Sequence, residues 1–346
     1  MSTPTSLDLP DGVRRTTIYT SRGPFAALEG VPASGVCERD AALLIPGYTG
    51  SKEDFLAILD LLADGSRHVV AIDMRGQFET PGADDPDGYR AAALGSDIAA
   101  IIHATGARHL VGHSYGGLVA REALLASPEL TGPEVTGPAD TRLTKTGLAQ
   151  TALGAPGDRL GAPGGDIVSF TLMSSGPAAL TGARARELRA MLTTLGVRDG
   201  SMPDQATLGA GISQLWHTYL EPQAVAAGVP APIVAFLAKR MLSNDPNGLV
   251  LMARHMLTAL DRTGELARLG QLSQLPMLVI YGENDNSWSP AAQENMARRL
   301  HARRVCIPGA VHSPAVEAPA TTASALTQFW DTAETSRLKH AVTRTA

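Results

Sequence analysis

Gly112-His113-Ser114-Tyr115-Gly116-Gly117 is the stretch on which the reading of this chain turns. Just before it, residues 107–111 form a short apolar run that predicts a buried strand. Just after it, residues 118–127 predict a helix. A Gly-x-Ser-x-Gly pentapeptide between strand and helix is the setting in which a serine hydroxyl is thrust out at the edge of a sheet. The spacing has a steric cause. Such a serine sits at a strained turn, crowded by the strand and the helix, and glycine on either side leaves room for that crowding. The helix starts directly behind Ser114, so its free N–H groups and positive end face any negative charge that builds up there.

Outward from the turn, strands and helices alternate. Residues 15–20 and 25–28 read as a hairpin, and residues 41–45 as a buried strand ending at Pro46-Gly47. Phe55, Ile58, Leu59 and Leu62 have helical spacing over 51–63, where Ser51 and Asp54 resemble a capping box. Residues 68–72 predict the next strand and 89–104 a helix. Residues 131–165 are rich in Gly, Pro, Thr and Ala and read as a flexible surface insertion, one that should tolerate shortening because loop length costs little entropy. A strand resumes over 166–173. Residues 178–269 then break the alternation, with helices expected at 183–195, 208–219, 232–242 and 249–260. Strands at 277–281 and 303–307, with helices at 290–300 and 318–330, close the chain. The expected fold class is α/β, a mostly parallel central sheet with helices on both faces. The expected division is a core of residues 1–177 and 270–346 carrying a helical cap of 178–269.

Composition narrows the function. The 346 residues are 44% hydrophobic and 18% charged, with net charge −5. No basic run or basic-aromatic stripe offers a nucleic-acid surface. No apolar stretch approaches membrane-spanning length, and the first twenty residues hold no signal-like apolar run. A soluble, cytoplasmic protein acting on a small molecule is the expectation, with no nucleic-acid or membrane partner and with its oligomeric state open. Residues 1–12 read as a loose tail. Cys37 and Cys306 are too few for a disulfide framework and are expected to be buried thiols. No clustered His/Cys spacing suggests zinc, and no glycine-rich phosphate loop suggests a nucleotide, so neither metal nor cofactor is expected.

Four motifs in order give the chain a resemblance to the α/β-hydrolase fold family, serine hydrolases with a helical cap, over about residues 15–332 apart from 131–165. Ser114 is the candidate nucleophile and needs an adjacent base. His312, in the loop after the last predicted strand, is the candidate base, since such a loop reaches the same edge as the serine turn. His113 is read as supporting the turn, and His217 and His255 as structural or pocket-lining. The family's Gly-x-x-Asp pattern falls on Gly282 and Asp285, making Asp285 the candidate orienting carboxylate, with Glu283 its neighbour and rival. The order Ser, Asp, His is the one this fold uses.

An oxyanion site needs two N–H donors. The backbone of Tyr115 is one, and the resemblance assigns Tyr48, in Pro46-Gly47-Tyr48-Thr49-Gly50, as the other, although Pro46 stands where the family more often has histidine. Asp73-Met74-Arg75-Gly76-Gln77 resembles the family's Asp-x-Arg-Gly turn and is read as structural, with Arg75 pairing locally.

Met191, Met202, Met241, Met252 and Met256, with Trp216 and Phe236, make the helical region apolar, and Trp288 follows Asp285 by three residues. Trp288, Met252 and Trp216 are the candidate substrate contacts. The resulting expectation is a cofactor-free serine hydrolase of an ester, lactone or thioester. A carbon–carbon bond hydrolase stays open on the same residues. So does a proline-type aminopeptidase, for which Glu187, Asp204, Glu221 and Asp261 are candidate amine ligands. A ligand-binding protein on the same scaffold is the alternative of another class.

Overall fold

The computed structural model describes residues 2–132, 167–198 and 201–345. Most of the expected insertion at 131–165 lies outside the described residues. Eight strands form one sheet: β1 (Val13–Thr20), β2 (Gly23–Gly30), β3 (Arg39–Ile45), β4 (Arg67–Ile72), β5 (His109–His113), β6 (Ser169–Met173), β7 (Met277–Gly282) and β8 (Arg303–Ile307). Their order is β1-β2-β4-β3-β5-β6-β7-β8. The β1–β2 hairpin and the β2–β4 pair are antiparallel, and every pairing from β4 to β8 is parallel. Strands β4 to β7 are buried along their whole length, because helices cover both faces.

The helices are α1 (Leu56–Ala63), α2 (Ala91–Thr105), α3 (Tyr115–Ala126), α4 (Gly182–Thr194), α5 (Gln205–Leu215), α6 (Glu221–Ala226), α7 (Ala231–Leu242), α8 (Pro246–Thr258), α9 (Thr263–Ser273), α10 (Pro290–Leu300), α11 (Pro314–Glu317) and α12 (Pro319–Thr345). Side-chain alternation along the strands sorts the core into two layers. Leu43, Ile45, Val70 and Ile72 point to the face covered by α2 and α3, in one cluster with Ile98, Ile102, Leu118 and Val119. Ala42, Leu44, Val69 and Ala71 point to the opposite face, against Leu59 and Leu62 of α1 and Leu326, Phe329 and Trp330 of α12. Helices α4 to α9 interrupt the alternation between β6 and β7, and their apolar residues join the first of these clusters.

Three expectations change. Residues 2–12 are fastened: the Ser2 hydroxyl lies 2.7 Å from that of Ser313, and its carbonyl accepts from the Arg240 guanidinium at 2.6 Å. Cys37 and Cys306 are exposed free thiols, not buried ones. Cys37 lies in the turn before β3, and Cys306 is on edge strand β8, where only Ile307 is buried. The helix expected at 208–219 is two pieces, α5 and a π turn at Trp216–Leu220. Among the described residues no helix is long and apolar enough to cross a membrane.

Candidate active site

Because β3, β5, β6, β7 and β8 run parallel, their carboxyl ends share one edge of the sheet. Ile45 is level with Gly112, His113 with Met173, and Gly282 with Ile307. The chain fills the sheet on one side of β3 and then moves to β5 on the other side, so β3 and β5 flank the point where strand order reverses. Crevices open at such points in parallel sheets. Ser114 follows β5 there.

The Ser114 backbone has φ 54° and ψ −121°, a conformation strained for a residue with a side chain. The turn is tight on both sides. A Cβ on Gly112 would lie 2.5 Å from the Gly117 Cα, and one on Gly116 2.4 Å from the Pro46 carbonyl oxygen. Helix α3 begins at Tyr115, three residues earlier than expected, so the first N–H groups of α3 lie directly behind the serine.

The loops after β7 and β8 are stitched together by backbone. The Glu283 N–H donates to the Ile307 carbonyl at 3.0 Å, and the Asn284 N–H to that of Ala310 at 2.9 Å. This pairing brings Asp285 beside His312. Their Oδ1 and Nδ1 are 3.0 Å apart, and His312 Nε2 is 2.9 Å from the Ser114 Oγ. A carboxylate only accepts, so Nδ1 carries the ring proton and Nε2 turns its lone pair to the serine hydroxyl. Asp285 Oδ2 accepts from the Gln293 amide at 2.9 Å, and Oδ1 accepts from the Ser287 N–H at 2.9 Å. The Asp285 side chain is fully buried. Glu283, the rival, points elsewhere and accepts from the Gly309 N–H at 2.9 Å.

His113 has a separate place. Its Nε2 donates to the His312 carbonyl at 2.7 Å. Burial, and then the neighbouring His312 ring, pull its pKa down to about 4, so it is neutral at pH 7. The Tyr115 hydroxyl is 3.1 Å from Nδ1 of His255, a ring whose pKa burial lowers, while burial raises that of the phenol.

The turn after β3 packs against the serine turn. A Cβ on Gly47 would lie 3.0 Å from the Ser114 Cβ. The Tyr48 N–H donates to no backbone acceptor among the described residues. Tyr115 opens α3, so its N–H has no partner within that helix.

Trp288 lies beside the site, its ring 6.4 Å from that of His312 and its N–H donating to the Ala178 carbonyl at 3.0 Å. Met252 and Trp216 are buried among the helices between β6 and β7, in the apolar cluster that also holds Trp288. His217 pairs with Glu221 at the surface. Gln293 and the His113 contact were not legible in sequence. Gln77 was missed too: it lies in the Asp73–Gln77 turn, where Arg75 pairs not locally but with Asp97 of α2, and its amide donates to the Gly47 carbonyl at 2.9 Å. The motif itself was the only available signal.

A model of the family described as "Alpha/beta hydrolase family" matches residues 42–325. Over 96 residues the chain is 36% identical to RutD of Variovorax paradoxus (strain S110), named as a carbamate hydrolase. That match spans 27% of this chain and 36% of the relative's length. Among solved structures, a thermophilic esterase from Thermogutta terrifontis aligns with a TM-score of 0.61 at 18% identity, over 92% of this chain and 99% of its own. The enol-lactonase of Burkholderia xenovorans LB400 aligns with a TM-score of 0.59 at 14% identity, over 91% and 99%. At such identity these structures show a shared fold.

Proposed function

The chain belongs to the alpha/beta hydrolase family, and from that premise we propose that it is a serine hydrolase cleaving an ester, lactone or thioester of a small, largely apolar substrate. The observation that carries the reading is the unbroken hydrogen-bonded series Ser114, His312, Asp285. Ser114 Oγ attacks the substrate carbonyl carbon while His312 Nε2 takes its proton. Asp285 holds the ring tautomer and stabilises the imidazolium. The Tyr48 and Tyr115 N–H groups hold the oxyanion of the tetrahedral intermediate. As that intermediate collapses, the bond to the leaving group breaks and His312 returns the proton to it, leaving Ser114 acylated. Water, deprotonated by His312, then releases the acid and restores the serine.

The apolar preference rests on the setting. Trp288 stands beside His312, and the sulfur of Met191 in α4 is 3.9 Å from the Tyr48 hydroxyl. Helices α4 to α9 are the proposed cap. The aminopeptidase alternative loses support because each candidate amine ligand is engaged: Glu187 with Arg184, Asp204 as the N-cap of α5, Glu221 with His217 and Asp261 with Arg299.

A fluorophosphonate probe is expected to label the wild-type protein and not Ser114→Ala. Turnover of short-chain esters should fall ~10⁴- to 10⁶-fold in that variant with its melting temperature retained. Near-normal turnover would mean another nucleophile, and an unlabelled wild type would favour the ligand-binding alternative. Lactones, thioesters and carbamates assayed beside the esters decide the bond.

A further inference from the structure

We propose that Gln77 is a positioning residue for the oxyanion site, its side-chain amide setting the direction of the Tyr48 N–H through the carbonyl of Gly47. The inference rests on the acyl-transfer reading above.

The Gly47 carbonyl and the Tyr48 N–H belong to one peptide unit. That unit is planar and trans, so the two groups point in opposite directions and turn together. Whatever grips the oxygen therefore aims the hydrogen. Two donors grip it: the Gly50 N–H at 3.1 Å and Gln77 Nε2 at 2.9 Å. Gly50 lies in the same turn and moves with it. Gln77 comes from the loop after β4 and is the external reference.

That reference is itself fixed. Gln77 is buried, with 2% of its surface exposed. Its Oε1 accepts from the Met74 N–H at 3.1 Å, its own N–H donates to the Met74 carbonyl at 2.9 Å, and its carbonyl accepts from the Thr80 N–H at 2.9 Å. Because a backbone N–H can only donate, the amide oxygen must face Met74 and the amide nitrogen must face Gly47. The loop is anchored in turn by Asp73, which accepts from the Lys52 N–H at 2.7 Å and the Lys52 ammonium at 2.8 Å. At the other end, a Cβ on Gly47 would stand 3.4 Å from the Ser114 Oγ, so the gripped peptide borders the reacting atom. Oxyanion donors act only at 2.7–3.1 Å from the developing charge, so a small rotation of this plane is enough to lose one.

The test uses Gln77→Met, close in size and without a donor, on the full chain with p-nitrophenyl butyrate. Removing an oxyanion donor costs about 10²–10³ in kcat, and freeing one to rotate should cost less, ~10- to 100-fold, with KM changed less than about threefold. Affinity for an alkyl boronic acid, which becomes a tetrahedral anion on Ser114, should fall in step with kcat. A second variant, Gln77→Glu, repels the Gly47 carbonyl when ionised and can donate to it when protonated. Its kcat relative to wild type should therefore rise as pH falls. A role in folding alone would lower the melting temperature without splitting kcat from KM and without that pH trend. If Gln77→Met does not fold, the pH trend of Gln77→Glu decides. Unchanged kcat and boronate affinity in a folded Gln77→Met, or a flat pH ratio, overturns the inference while leaving the hydrolase reading intact. A wild type that neither turns over ester nor takes the fluorophosphonate brings down both.

Discussion

Two turns meet at the carboxyl edge of the sheet, and they are held differently. The turn carrying Ser114 is built by its own sequence, with Gly112 and Gly116 on either side, β5 before it and α3 directly behind. The turn after β3 closes on itself through the Gly50 N–H but is also held from outside. Gln77 grips the Gly47 carbonyl, and Asp54 Oδ2 accepts from the Ser51 N–H at 3.4 Å. Arg240, fully buried on α7, reaches Asp54 at 2.7 Å and the Ser51 hydroxyl at 3.4 Å. A turn fixed by local sterics depends little on the rest of the chain. A turn fixed by partners on other loops and helices can be adjusted by residues far from it in sequence, including the helices between β6 and β7.

The contrast can be broken at several points. The largest effect should come where the serine turn meets its partners: Asp285→Asn should cut kcat ~10⁴-fold in ester hydrolysis, by letting His312 take the wrong tautomer, with little change in melting temperature. A loss below tenfold would show that the carboxylate does not govern the ring. Next, Arg240→Ala should cost about 3–5 kcal/mol in urea unfolding, since it leaves the Asp54 carboxylate buried without its cation. The double variant with Asp54→Leu should recover much of that loss. A cost under about 1 kcal/mol would mean that α7 does not brace this turn.

The smallest effect concerns His113. Its folded pKa of about 4 lies below the ordinary histidine value of 6.5, so the unfolded chain binds the proton more readily. The stability this gives is present above pH 6.5 and is lost as pH falls through 4, up to about 3 kcal/mol. Melting temperature measured from pH 7 to 4 should therefore fall less steeply in His113→Gln than in wild type. Parallel slopes would show that His113 titrates alike folded and unfolded.

Much of the fold was readable because its signals are local. The apolar runs of β3, β4, β7 and β8 and the helical spacing of α10 each fall within a residue or two of their expected limits, and α1 ends at Ala63 as expected but starts at Leu56, after a 3-10 turn at Lys52–Phe55. Asp285 was readable from the Gly-x-x-Asp pattern, with Glu283 as its rival, and the β8 loop meets Asp285 while Glu283 takes the Gly309 N–H. The exposed Cys306 follows from β8 being an edge strand, and strand order is a long-range property. Ser2 was read as part of a tail because its partners, Ser313 and Arg240, are more than two hundred residues away.

By itself the sequence determined that a serine would stand on a strained turn between a buried strand and a helix, because glycine spacing and apolar periodicity are short-range constraints written in adjacent residues. Only the tertiary structure decided what else surrounds that serine: which carbonyl His113 meets, which amide grips Gly47, and which arginine from the inserted helices backs the turn. Those contacts join residues that are neighbours only after the sheet has assembled, when parallel strands bring separate loops to one edge.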